Sequence, residues 1–389
     1  MKARRQVSMS TRPAADCSSM EPKATHGGVR KHSLIALAVL LLSAWCVLRG
    51  APSAHSSRVP LVTFGVVADA QYADAEPAIS AFGIKRHYRE SLAMLAEAGT
   101  HFADRLHAFV VHLGDLVDGR AAKVDSGVDA QMDAALKQLL PASSKRYHVL
   151  GNHEFYVGLS RSQLLYKYGI IPDARATNST DHSYFTVRPA AGVRAIFLDT
   201  FDISILGRNR SDARAAAAHQ LLLRHNPLYN ASGGASSGND PSGLRGLERS
   251  WVALNGGLGD AQLSWLADQL ADARAAGDRV LIFSHIALHP GAQSLLCGGM
   301  CVVWNHEQVL DVLRPYGDNV AACFAGHDHS GGYARDAQSG LSFITVQGII
   351  ETKPKGHAYA DVTLFPDRLV VEGYGRVTSR KLRLKPLRV

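Results

Sequence analysis

Residues 108–119 read AFVVHLGDLVDG, a short run of β-favouring apolar residues that stops at Gly114-Asp115. A run of four to eight such residues closed by glycine and charge predicts a buried strand. The same construction recurs along the chain. Leu61–Ala68 (LVTFGVVA) stops at Asp69, and Tyr147–Leu150 stops at Gly151-Asn152-His153. Val193–Leu198 stops at Asp199, Arg279–Ser284 at His285, and Val320–Ala325 at Gly326-His327. Between these runs, helical spacing is found in His87–Ala98, Val128–Leu140, Asp212–His225, Asp260–Ala276 and Asn305–Leu313, with Asp260 placed as an N-cap. Strands alternating with helices predict an α/β fold. Leu341–Gly348, Ala358–Leu364 and Leu369–Tyr374 read as consecutive strands of a second sheet, and Ala231–Gly246 as a Gly/Ser surface loop.

In open α/β sheets, ligands bind beyond the carboxyl ends of the strands, which is where the polar motifs fall. In order they are Asp69-Ala-Gln71, Gly114-Asp115-Leu-Val-Asp118, Gly151-Asn152-His153-Glu154, His285 and Gly326-His327-Asp-His329. Carboxylate and amide oxygens mixed with imidazoles suit Mn²⁺, Fe²⁺, Zn²⁺ or Mg²⁺ better than a thiolate site would. Two metals about 3.5–4 Å apart need a shared ligand, and a carboxylate can bridge them. Asp115 is the natural bridge, because Gly114 lets the backbone turn sharply before it. Such a centre activates water and neutralises charge on a phosphorus atom during in-line attack.

The formal net charge of the 389 residues is +8, which by itself invites an acidic partner. Its distribution says otherwise. Residues 1–60 carry nine Lys/Arg against two acids, and 376–389 carry six with none, so 61–375 is −5. No aromatics interleave with the basic ends as a nucleic-acid groove requires, so no nucleic-acid partner is expected. Residues 33–48 (SLIALAVLLLSAWCVL) are uncharged and flanked by Arg30, Lys31 and Arg49. They read as a signal-anchor or a cleavable signal, with the body lumenal, extracellular or secreted. The expected organisation is a basic leader (1–32), the hydrophobic segment (33–49), a linker (50–60), a catalytic domain (61–380) and a basic tail (381–389). Three sequons, at Asn178, Asn209 and Asn230, fit a lumenal body. Cys297 and Cys301 could pair in an oxidising compartment, but five cysteines are too few for a disulfide scaffold. A monomer is expected.

Taken as a set, the motifs resemble the calcineurin-like metallophosphoesterase superfamily. The resemblance implies a four-layer αββα sandwich with two mixed sheets. Most members have Asp-x-His where this chain has Asp69-Ala-Gln71. That departure resembles one subgroup, the manganese-dependent ADP-ribose/CDP-alcohol diphosphatases. The matching stretches are FGVVADAQYAD (64–74), LGDLVDG (113–119), GNHEFY (151–156), LDTFDISILG (198–207), LNGGLGDAQLSWL (254–266), WNH (304–306), AGHDHSGGY (325–333), GIIET (348–352) and GRV (375–377).

Carried over residue by residue, the resemblance implies one metal held by Asp69, Gln71, Asp115 and His329. The second is implied to be held by Asp115, Asn152, His285 and His327. His153 would act as general acid or oxyanion stabiliser, oriented by Asp118. Cys301 would lie near the substrate, and Phe155, Tyr156 or Tyr333 could stack on a nucleobase. The implied cofactors are two divalent ions, Mn²⁺ first, and the implied partner is a small nucleoside diphosphate derivative. Gln71 offers a metal only a neutral carbonyl oxygen, so one site is expected to hold its ion weakly. Hydrolysis of cyclic nucleotides or other phosphoesters is the alternative activity, and a non-catalytic tethered binding protein the alternative class.

Overall fold

The computed structural model describes residues 59–139, 145–170, 182–230 and 238–387. The hydrophobic segment 33–49, the sequon at Asn178 and residues 231–237 of the Gly/Ser loop lie outside the described residues. Among the described residues, no helix is long and apolar enough to cross a membrane.

In chain order the strands are β1 (Val62–Val67), β2 (Ala78–Ile79), β3 (Lys85–Arg86), β4 (Phe109–His112), β5 (Lys145–His148), β6 (Phe185–Ala190) and β7 (Val193–Phe197). They continue as β8 (Arg279–Phe283), β9 (Val320–Ala325), β10 (Gly332–Arg335), β11 (Ser342–Thr345), β12 (Ala358–Leu364), β13 (Arg368–Gly375) and β14 (Arg380–Arg383). One six-stranded sheet has the order β14-β13-β12-β1-β4-β5 and the other β10-β11-β9-β8-β7-β6. Each has a parallel centre, β1-β4-β5 in the first and β7-β8-β9-β11 in the second, extended by antiparallel strands. Helices α1 (Ser91–Asp104) and α2 (Val128–Gln138) pack together outside the first sheet. Beyond α3 (Arg161–Tyr168) and α4 (Ala213–His225), helices α5 (Asp260–Ala275) and α6 (His306–Leu313) cover the second. The architecture is the expected four-layer sandwich.

Buried phenylalanines join the sheets. Phe64 stacks on Phe109 at 4.7 Å between centroids and meets Phe283 and Phe324 edge-on at 5.7 and 5.9 Å. Phe283 in turn stacks on Phe197 at 5.0 Å. At the start of β8, the Arg279 guanidinium donates to the carbonyls of Pro366 and Lys385, fastening the second sheet to the first.

The expected strand sites are all occupied, but the final assignment is corrected. Only β11 joins the second sheet, beside β9, whereas β12 and β13 extend the first sheet from β1. Alternation tells which face of a strand is buried and says nothing about its partner, which here lies almost 300 residues away in sequence. The basic tail begins inside strand β14, where Leu382 is buried against β13. Asp260 is the first helical residue of α5, and Gly259 occupies the N-cap. Helix α3 falls outside the helices that spacing predicts, although Ser160-x-x-Gln163 announces it. The Ser160 side chain accepts from the Gln163 amide, the Gln163 side chain returns to the Ser160 amide, and Gly169 closes the helix in the left-handed region.

Candidate dinuclear metal centre

The five motifs converge where the parallel strands end. Asp69 follows β1, Asp115 follows β4, Asn152 follows β5, His285 follows β8, and His327 and His329 follow β9. Asp69, Gln71, Asp115 and His327 all have positive φ, between 42° and 69°. Non-glycine residues adopt that region at a cost and cluster at functional sites. At Gly114, with φ 93°, a Cβ would strike the His285 ring, so glycine is required for the turn that delivers Asp115.

Asp115 is the hub. His285 Nε2 lies 3.5 Å from its Oδ2, Gln71 Nε2 donates to Oδ2 at 3.0 Å, and the His153 amide donates to Oδ1 at 2.8 Å. On one side, ligand atoms of Asp115, His285 and His327 lie within 4.8 Å of one another. On the other side, those of Asp69, Asp115 and His329 do the same. Asn152 Oδ1 is 3.3 Å from His285 Nε2 and completes the first group. Gln71 lies beside the second, with its Nε2, the donor end of the amide, 3.0 Å from His329 Nε2. The Gln71 Oε1 atom is buried without a hydrogen-bond partner.

Outer contacts turn these imidazoles inward. His285 Nδ1 donates to the Leu113 carbonyl at 2.7 Å, so its Nε2 lone pair faces Asp115. His329 Nδ1 pairs with Glu351 at 2.9 Å, so its Nε2 lone pair faces Asp69, 3.6 Å away. His327 Nε2 meets Asn255 Oδ1 at 3.0 Å, and its Nδ1 lies 3.1 Å from His285 Nε2. Burial lowers the pKa of all three, which keeps the rings neutral and the lone pairs available. Burial and repulsion by Asp115 push the Asp69 pKa well up. Burial would raise Asp115 too, but the imidazoles of His285, His153 and His327 hold its carboxyl below the usual range. The lone pairs of His285, His327 and His329, converging on two buried carboxylates, fit divalent cations, and Gln71 would join them by turning its unpartnered Oε1 to where its Nε2 now stands.

Asp118 does two jobs. One oxygen caps the turn after it by accepting from the Arg120 amide at 2.8 Å, while the other stands 2.8 Å from His153 Nδ1. His153 is half-buried, and its Nε2 points toward the centre, 4.0 Å from Asp115 Oδ2. Burial lowers its pKa, but Asp115 and Asp118 outweigh burial and raise it.

The aromatic candidates separate. Tyr156 stands edge-on to His153, and its hydroxyl bonds Asn152 and Asn239, so it is tied to the centre. Phe155 packs against Phe201 under Arg161, within the core rather than the cleft. Tyr333 lies beneath the Arg380 guanidinium, its hydroxyl 3.4 Å from Ser342 Oγ, and is not among the residues that line the cleft over the centre. Cys301 walls the cleft over the centre and is disulfide-bonded to Cys297, while Cys323 is a buried free thiol.

Several residues at the centre carry roles that spacing and motif do not assign. Glu154 is fully buried and accepts from the amides of Asp115 (3.0 Å), Leu116 (2.6 Å) and Gly151 (2.8 Å), with Tyr168 Oη at 2.7 Å. It locks two ligand-bearing loops together, and burial with the Asp115 charge pushes its pKa up to about 7. Glu351 and Asn255 are the outer partners of two ligand histidines. All three lie inside motif stretches, yet only the folded geometry shows what they touch. Phe82 and Arg86, from the β2–β3 hairpin, wall the cleft with no motif to mark them.

Residues 62–331 match the family model for calcineurin-like phosphoesterase. A manganese-dependent ADP-ribose/CDP-alcohol diphosphatase from Danio rerio is 37% identical over 327 residues, covering 82% of this chain and 97% of that protein. Proteins of the same name from Oryza sativa and Homo sapiens are 34% and 32% identical, covering 85% and 84% of this chain and 97% and 93% of theirs. The crystal structure of a dimetal phosphatase from Danio rerio superposes with a TM-score of 0.76 at 35% identity, covering 84% of this chain and all of that one.

Proposed function

Because the chain belongs to the calcineurin-like phosphoesterase family, we propose that it is a Mn²⁺-dependent hydrolase of ADP-ribose and CDP-alcohols such as CDP-choline and CDP-ethanolamine. Water would split the pyrophosphate bond to give AMP or CMP and a phosphorylated sugar or alcohol. The observation that carries this reading is the pair of inward-facing ligand groups sharing Asp115, set beneath a cleft walled by Phe82, Arg86 and Cys301. The names of the relatives and their coverage support the substrate class.

Two divalent ions bound there supply an activated water and positive charge for the phosphorus centre. The chain's own residues do the rest. Asp69, Gln71 and His329 would hold one ion, Asn152, His285 and His327 the other, and Asp115 both. His153, kept protonated by its two carboxylates, is aimed to donate its Nε2 proton to the leaving phosphate oxygen. The Arg86 guanidinium on the cleft wall suits the second phosphate of a diphosphate.

The test is a panel on the full chain with Mn²⁺ against Mg²⁺: ADP-ribose, CDP-choline, CDP-ethanolamine, a cyclic nucleotide and a simple phosphomonoester. Turnover of the diphosphates with Mn²⁺ is expected. Turnover of the monoester or cyclic nucleotide alone would sink the proposed substrate class.

The uncharged run 33–48 and the Cys297–Cys301 disulfide support a body outside the reducing cytosol, anchored or secreted. Fractionation and N-terminal sequencing of the native chain test this; a soluble cytosolic chain starting at Met1 or Met20 overturns it.

A further inference from the structure

We propose that Asn255 is a positioning residue that dictates which nitrogen of His327 faces the metal centre, with the disulfide-bridged loop 293–301 as its anchor. The inference rests on the dinuclear centre and not on the choice of substrate.

An amide side chain has a donor end and an acceptor end that a 180° rotation exchanges. At Asn255 that rotation is blocked. The residue is fully buried, and its Nδ2 donates to the carbonyls of Ser250 at 2.9 Å and Met300 at 2.5 Å. Turning the amide would set its oxygen against two carbonyl oxygens with no proton between them. Oδ1 therefore points at His327 as an acceptor, 3.0 Å from Nε2. An acceptor there requires the proton on Nε2, which leaves the lone pair on Nδ1, the atom 3.1 Å from His285 Nε2. With the other tautomer, an N–H would face the ligand group and exclude a cation.

The Met300 carbonyl has to be held for this to work. Its loop is pinned from several directions. Gln293 Oε1 accepts from the amides of Gly299 (3.1 Å) and Cys301 (3.0 Å), and Ser294 bonds the Asp328 carboxylate from its amide at 2.6 Å and its hydroxyl at 3.1 Å. Arg249 donates to the Gly298 carbonyl at 3.2 Å. The Cys297–Cys301 bond spans Met300 and closes the loop on itself. The disulfide is thus two hydrogen bonds removed from a metal ligand: loop to Asn255, and Asn255 to His327.

Asn255→Leu removes the acceptor while keeping the same branched skeleton. With that variant we expect Mn²⁺ counted by elemental analysis to fall from two ions per chain toward one after dialysis, and the Mn²⁺ dissociation constant to rise about 10–100-fold. Cys297→Ser, which opens the loop, should weaken Mn²⁺ binding by a smaller factor. Unchanged Mn²⁺ content and affinity in Asn255→Leu would overturn the proposal. Should that variant not fold, ¹⁵N NMR of the Zn²⁺-loaded wild type reports the His327 tautomer directly. A proton on Nε2 is required, and a proton on Nδ1 is fatal. A chain that binds two Mn²⁺ through Asn255 yet hydrolyses no nucleoside diphosphate derivative would refute the substrate reading and leave this inference standing.

Discussion

Two buried aspartates each face a pair of histidines, and their surroundings make them chemical opposites. At Asp115 the far nitrogen of His285 is engaged by a carbonyl oxygen and that of His327 by an amide oxygen, so lone pairs converge. At Asp361, in β12, His107 Nε2 lies 2.7 Å from Oδ1 and His101 Nε2 lies 3.0 Å from both oxygens. Tyr374 Oη donates to Asp361 at 3.2 Å, and Arg105 adds its charge at 3.5 Å. Here donors surround one acceptor, and the group is satisfied by itself, clasping the end of α1 to the sheet. Residue types alone do not distinguish the two clusters. The acceptors behind His285 and His327 do, because by holding the outer N–H of each ring they turn a lone pair inward at Asp115.

The sharpest way to break this contrast is to neutralise each aspartate. Asp115→Asn should lower kcat by about 10³-fold or more and reduce the bound metal, because the shared ligand is lost. Asp361→Asn should leave turnover within about twofold while costing about 1–3 kcal/mol of stability in denaturant unfolding. Equal kinetic damage from both would dissolve the distinction.

Next in size is the proton donor. His153→Ala should cost about 10²–10⁴-fold in kcat with both metals retained. Asp118→Asn should cost less, with a shifted pH–rate profile, because the ring stays in place while its charged partner is gone. Metal loss in His153→Ala would reassign that residue from proton donor to ligand.

Metal retention is the third probe. Brief chelation of the wild type should abolish activity, with return on adding Mn²⁺. Gln71→His, which replaces a carbonyl oxygen by an imidazole, should resist the same treatment. Full activity of the wild type after chelation, with no metal returned, would show that Gln71 does not weaken its site.

The smallest effect concerns acid. Burial would raise the Asp361 pKa, but His107 and His101 outweigh it and hold the carboxyl below its ordinary value. The unfolded chain therefore takes up that proton first as pH falls. The stabilisation is complete above the unfolded pKa of about 3.9 and fades as pH drops through the folded value. The stability gap between wild type and Asp361→Asn should accordingly narrow below about pH 4. A gap that widens there would mean the histidines, not the carboxylate, set the linkage.

Much of the site is legible in the sequence, for a local reason. Asp69, Asp115, Asn152, His285 and His327 each follow an apolar run within a few residues, and a parallel strand must end where such motifs stand. Asp118 reads either as the residue that orients His153 or as a loop cap; it is both, one oxygen to each task. The nucleobase candidates are less legible. An aromatic beside a motif can pack inward, as Phe155 does, or lie beneath a distant arginine, as Tyr333 does. Phe82 and Arg86 give no signal at all, because nothing in a short hairpin's sequence says which cleft it overhangs.

By itself, then, the sequence determined the α/β class, the candidate ligand residues and the carboxylate that the two candidate groups share, since period, chain breaks and donor chemistry are written within a few residues of one another. Only the tertiary structure decided that β12 and β13 extend the first sheet, and which nitrogen of each histidine faces inward. Those choices depend on partners that no local pattern encodes: His327 takes its tautomer from Asn255, 72 residues away, and Gln71 meets His329 across 258. A hydrogen bond has no preference for near neighbours in the chain, so its consequences appear only when the strands are assembled.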